Sequence, residues 1–172
     1  MLQRQRKLRH GVRADPDRQT PEAPESRVSV IRPRPSLAAA KALLEAAGLP
    51  FGDLTDAHCE HFFYWGPPDA PTGLVGLELF GHVALLRSLV VSPDTRSSGM
   101  GTALVRYAES YALSQGARTL FLLTTTAEGF FARLGYLHAT RDAAPAAIRS
   151  TREFAGLCPA SSAFMSKQLQ SH

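Results

Sequence analysis

The stretch RSSGMG (96–101) joins an apolar run, ALLRSLVV (84–91), to TALVRYAESYALSQ, whose apolar residues recur at helical spacing. A strand that passes into a helix through two glycines commits the chain to a sheet with that helix packed on it. It also leaves the helix N-terminus facing the turn, with backbone N–H groups that have no intrahelical partner and a partial positive charge from the helix dipole. Such an end binds phosphate. Gly99 and Gly101 remove Cβ atoms from the approach, and Arg96 adds a fixed charge. Two familiar phosphate loops are excluded. No G-x-x-x-x-G-K-[ST] occurs, and Gly101 is followed by Thr-Ala-Leu-Val rather than completing G-x-G-x-x-G. A dinucleotide fold would also place its glycine turn after the first strand.

The rest of the chain supplies the partners of this unit. RVSVIRP (27–33) reads as a strand stopped by Pro33 and Pro35, and Ser36 caps a helix in LAAAKALLEAAG. TDAHCEHFFYW reads as a second short helix from Thr55. GLVGLELFGHVALLRSLVV predicts two antiparallel strands, 74–79 and 83–91, around the turn Phe80-Gly81-His82. After the helix at 101–115 come a buried strand in ARTLFLLTTT, a short helix in AEGFFARLG and a strand from Tyr136. A helical piece over 146–154 and a closing strand in SAFMSKQL complete a mixed α/β domain, one central sheet flanked by helices.

Net charge is +4, but residues 1–27 hold seven Lys/Arg against four acids, leaving the remainder near neutral. A nucleic-acid surface would carry its excess on the folded domain. Residues 1–26, rich in Pro and charge and poor in apolar side chains, read instead as a disordered basic extension, with the domain at 27–172. They lack the apolar core of a secretory signal, no run is long enough to span a membrane, and two cysteines make no disulfide framework. The expectation is a cytoplasmic protein without nucleic-acid or membrane partners.

Arg96-x-x-Gly99-x-Gly101 resembles the [QR]-x-x-G-x-[GA] signature of the GCN5-related N-acetyltransferases (GNAT), with the usual strand before and helix after. AEGFFARLGY (127–136) is similar to the helix that follows the next strand in that family. Within the family, LLRSLVV, TTTAEGFFARLGY and TREFAGLCPAS most resemble the N-acetyltransferases of bacterial arsenic-resistance operons. The resemblance implies acetyl-CoA as co-substrate, no metal, a small-molecule amine as partner, and leaves room for a homodimer. The pantetheine arm would lie along Leu89, Val90 and Val91. The pyrophosphate would lie on Arg96, Ser97, Ser98, Gly99, Met100, Gly101 and Thr102, with Phe131 also at the cofactor. Strands 83–91 and 119–125 would splay to admit the thioester.

Transfer from a thioester to an amine needs a neutral amine, a stabilised oxyanion and a proton for the leaving thiolate. Many relatives supply that proton from a tyrosine where this chain has Phe131, and their common asparagine falls at Thr124, a candidate substrate contact. The candidates left for catalysis are Glu78 as proton acceptor, Ser88, and Cys158 as a thiol acid. Arg87 could grip a substrate carboxylate or pair with Glu78. Regular alternation puts Arg87 and Ser88 on opposite faces, and the resemblance implies that the face of Leu86, Ser88 and Val90 turns toward substrate, which argues against Arg87 unless a bulge intervenes. His58, Cys59, Glu60 and His61 lack a second cysteine or histidine pair to finish a metal site.

Overall fold

The computed structural model describes residues 30–171. The expected extension at 1–26 and the start of the first strand lie outside them. Within them the order is β1 (Arg32–Pro33), α1 (Leu37–Ala46), α2 (Asp56–Cys59), β2 (Phe62–Trp65), β3 (Gly73–Phe80), β4 (Val83–Val91), α3 (Met100–Ser114), β5 (Thr119–Thr124), α4 (Glu128–Arg133), β6 (Leu137–His138), α5 (Ala146–Arg149) and β7 (Ala163–Gln168). The strands form one sheet of order β1-β2-β3-β4-β5-β7-β6, in which only β4 and β5 pair in parallel. The βα unit read around RSSGMG is thus the parallel crossover at the centre of the sheet.

One face of the sheet takes α3. Leu104, Val105, Ala108 and Ala112 pack on Leu77, Leu86, Leu120, Leu122 and Met165. Full burial of each leucine stabilises the fold by about 1.5–3 kcal/mol. On the other face, Ile148 of α5 packs with Leu85, Phe121 and Phe164, and Ala40 and Leu44 of α1 pack with Phe62, Tyr64, Leu74 and Val90. Ser36 caps α1 as its position implies, its Oγ accepting from the Ala39 N–H at 3.1 Å.

Two segments differ from their sequence reading. The helix from Thr55 ends at Cys59, and the aromatic run that follows is β2, with Phe62 opposite Gly76 and Phe63 opposite Val75 on β3. Consecutive aromatics bury on both faces of a strand better than along one helical stripe, and Phe62, Phe63 and Tyr64 are all buried here. A Cβ on Gly76 would lie 2.2 Å from the Phe62 ring, so the missing side chain is what lets that ring lie flat on the sheet. The helical piece expected over 146–154 divides into α5 and a wider π-type turn over Glu153–Leu157.

Candidate active site

The central strand pair opens where the sequence places the chemistry. β4 and β5 pair from Val83–Thr119 to Leu86–Leu122 and then separate. On its other side, β4 loses register with β3: Arg87 faces Gly76, yet Val90 faces Leu74, so three steps on β4 match two on β3. The extra residue is accommodated at Ser88, whose φ of 58° lies in the left-handed region. This is a β-bulge. It corrects the expectation that Leu86, Ser88 and Val90 share a face: Leu86 packs under α3, whereas Val90 packs against α1. The strand bends, and its edge toward β5 is released from the ladder.

Two hollows meet at this opening. One, of about 590 Å³, runs over Leu89, Val90 and Val91 to the turn, touching Arg96, Ser97, Gly99, Gly101 and Thr102, with Phe130 and Arg133 across from them. The other, of about 410 Å³, extends through the opening past Ser88, Thr124 and Phe131 to Glu153 and Cys158 on the C-terminal segment. Leu49, Leu89, Thr126 and Ala127 line both. The result is one continuous cleft.

At the turn the first helical hydrogen bond runs from the Ala103 N–H to the Gly99 carbonyl at 3.0 Å. Among the described residues, none of the N–H groups of residues 97–102 donates within the protein, which leaves a bare ridge of donors at the N-terminus of a 15-residue helix. Gly99 caps that helix at φ 80°, and a Cβ there would project into open space. Its glycine is thus required first for conformation. Arg96 Nε donates to the Val91 carbonyl at 3.3 Å, which holds the guanidinium over the same hollow. Ser98 turns its hydroxyl to the Thr95 carbonyl, and Met100 is buried in the core with its sulfur beneath Gly73. These two offer the cleft backbone only.

The charged side chains gather beneath the second hollow. Arg87 is fully buried and forks onto Asp53, with NH1 to Oδ2 at 2.5 Å and NH2 to Oδ1 at 2.8 Å. NH2 also meets Glu153 Oε1 at 2.9 Å, and Nε donates to Ser88 Oγ at 3.2 Å. Glu78, the partner considered from sequence, stands 3.8 Å from NH1 and 3.4 Å from His58 Nε2. It lies beneath the cleft rather than in its wall, and its Oε2 is buried with no hydrogen bond. Burial pushes the Glu78 carboxyl above its usual range, with Arg87 and His58 only partly offsetting it. Burial acts the same way on Asp53, but there the hydrogen bonds and charge of Arg87 prevail and hold the carboxyl low.

Cys158 lines the cleft and donates to Glu153 Oε2 at 3.0 Å. Burial first, then Glu153, push its thiol up to about 12. An ordinary thiol titrates near ~8.5, so proton transfer from Cys158 to a leaving thiolate runs uphill. Phe131 lines the cleft in edge contact with Phe130 and Tyr136 and has no proton to give. Tyr136 is buried, its hydroxyl donating to Glu109 Oε1 at 3.0 Å. Thr124 also lines the cleft, its Oγ1 accepting from the Ala127 N–H at 3.0 Å. Sequence reading missed Asp53, Glu153 and the loop at 48–50. Only Arg87, a charge inside an apolar strand, signals that buried carboxylates must exist elsewhere. Among the described residues no group of three or more His, Cys, Asp or Glu is arranged to hold a metal ion.

The sheet opens at a bulge, and a helix N-terminus with free backbone donors faces the opening, an arrangement that suits a phosphate-bearing ligand with an apolar arm. A model of the acetyltransferase (GNAT) family matches residues 29–136, and the chain belongs to that family. Its members use acetyl-CoA as co-substrate, and the bare N–H ridge and the apolar channel behind it suit the pyrophosphate and arm of that molecule. A 63-residue stretch is 40% identical to the amino-acid acetyltransferase of Ralstonia nicotianae, covering 37% of this chain and 14% of that protein. N-acetylglutamate synthase from Neisseria gonorrhoeae, solved with coenzyme A and N-acetyl-glutamate, superposes with a TM-score of 0.69 at 24% identity over 83% of this chain and 35% of that one. Rv2747 from Mycobacterium tuberculosis, solved with CoA, superposes at 0.65 with 22% identity over 82% and 99% of the two chains. The chain thus spans a small part of the amino-acid acetyltransferase and about a third of the synthase. No described helix is long and apolar enough to cross a membrane.

Proposed function

We propose that the protein is an acetyl-CoA-dependent N-acetyltransferase whose acceptor is the amine of a small, amino-acid-like molecule. The observation that carries this reading is the single cleft formed where β4 and β5 part at the Ser88 bulge. Acetyl-CoA supplies an activated acetyl thioester. Around it, the 97–102 ridge and Arg96 hold the phosphates, and the released edge of Ser88 and Leu89 offers amides to the arm and to the thioester oxygen. The second hollow then receives the amine on the far side of the opening, beside Glu153. The ammonium gives one proton to solvent before it attacks, and with Phe131 in place of an acid the proton for the thiolate is the second one, which the nitrogen sheds after attack.

The amino-acid character of the acceptor is supported by the Ralstonia relative and by the N-acetyl-glutamate held in the Neisseria structure. The likeness to arsenic-resistance acetyltransferases narrows it to an amino-acid-like toxin or an arsenic-containing analogue, so that acetylation detoxifies. A thiol-release screen with acetyl-CoA across the amino acids, polyamines and an arsenic-containing amino-acid analogue tests this. Turnover confined to α-amines is the expected result, and turnover confined to polyamines overturns the acceptor class. The replacement of the usual tyrosine and asparagine by Phe131 and Thr124 favours a second reading, a binding module that senses acetyl-CoA without turning it over. Tight binding with no thiol release for any amine would establish that alternative.

A further inference from the structure

We propose that Glu153 is the residue that holds the nitrogen of the acceptor, a role that rests on the acetyltransferase reading of the same cleft. Glu153 is the only carboxylate in the wall of the acceptor hollow among the described residues. Its side chain is 8% exposed, in a 410 Å³ space whose only other charged lining residue is its partner Arg87, the rest being apolar side chains, hydroxyls, backbone and the Cys158 thiol. Oε1 is occupied by Arg87. Oε2 has only the thiol of Cys158, a weak donor that an ammonium group replaces with a charge-assisted hydrogen bond.

The charge beneath the hollow favours the same occupant. Three carboxylates, Asp53, Glu78 and Glu153, share one guanidinium, and Asp53 takes both forks of it. Glu78 Oε2 is buried without any donor. Even with His58 3.4 Å from Glu78 the carboxylates outnumber the guanidinium, and Glu153 is the one of them that faces the cleft, where the acceptor amine arrives as a cation. Arg87 fixes the geometry, since it holds Glu153 and the Ser88 hydroxyl of the bulge with adjacent nitrogens. The nitrogen is thereby set across the opening from the thioester. A Glu on the C-terminal segment thus selects the acceptor, while the turn selects the donor.

The test uses the full chain, acetyl-CoA, and L-methionine, L-glutamine and 2-phenylethylamine as acceptors, reading CoA release. Glu153→Gln keeps an oxygen for Arg87 and removes the charge. The expected result is an acceptor KM raised at least tenfold with the acetyl-CoA KM within twofold of wild type. Cys158→Ala removes the competing donor and should lower the acceptor KM. An unchanged acceptor KM in Glu153→Gln, or a Cys158→Ala variant impaired as much as Glu153→Gln, overturns the anchor alone. Wild-type protein that binds acetyl-CoA but releases CoA with none of the three and with no amine of the wider screen overturns the acetyltransferase reading, and the anchor with it.

Discussion

Asp53 and Glu78 flank the same guanidinium with opposite consequences. The Asp53 side chain is buried, ionised and paired, so replacing it by Asn leaves Arg87 with one good partner fewer in the interior. Breaking such a pair costs about 3–5 kcal/mol, and Asp53→Asn should lower the denaturant midpoint accordingly. Because its folded pKa is depressed, the Asp53 contribution is present above the unfolded value, near ~3.9, and is lost as pH falls through the lower folded value. The Glu78 carboxyl is raised instead, so its ionised form destabilises the fold at neutral pH. Glu78→Gln should therefore raise Tm at pH 7, with the gain shrinking as pH falls through the raised folded pKa toward the unfolded value of about 4.3. A gain that persisted undiminished at pH 4 would contradict that assignment. Phe131→Tyr tests the missing acid. The ring stands in edge contact with two aromatics and is 4% exposed, so an added hydroxyl finds no partner there. Turnover should stay level or fall, and a rise would show that the site had simply lost its acid.

At the scale of elements, the strand–turn–helix unit was legible because its chemistry is local. The glycines, the apolar run and the helical periodicity lie within about thirty residues, and β4, α3 and β5 fall within a residue or two of their expected bounds. The β2 strand was not legible, since its conformation depends on Gly76 leaving room for the Phe62 ring fourteen positions away. Gly76→Ala should accordingly destabilise the fold by about 1–3 kcal/mol through overpacking, read by chemical denaturation, without altering acetyl-CoA affinity. The bulge was visible only as a conflict: Arg87 and Ser88 both looked functional while alternation forbade a shared pocket. Register slip at Ser88 resolves that conflict, and no local pattern in ALLRSLVV announces it. Nor could Asp53 and Glu153 be matched to Arg87, because the three come from separate segments brought together only by the fold.

For the whole molecule, the cleft joins the sheet's parallel crossover to the C-terminal segment, which adds Glu153, Leu157, Cys158 and Pro159 to the acceptor side alone. Residues 1–26 carry about half of the net charge in sequence and little that can be buried. Their removal should leave both the unfolding temperature and acetyl-CoA affinity unchanged, and a fall of several degrees would show that they pack on the domain. The central claim is that the bulged strand and the glycine turn together hold acetyl-CoA. Calorimetric titration of acetyl-CoA into wild type and Gly99→Val tests it most directly. A Cβ at residue 99 meets no protein atom within 4 Å, so the fold bears chiefly the left-handed strain, about 1–2 kcal/mol. The account predicts one-to-one binding by the wild type, loss of that binding in Gly99→Val with cooperative unfolding retained, and in Arg96→Ala a weakening of about 1.5–3 kcal/mol. Wild-type affinity in Gly99→Val, or no binding by the wild type, would contradict it.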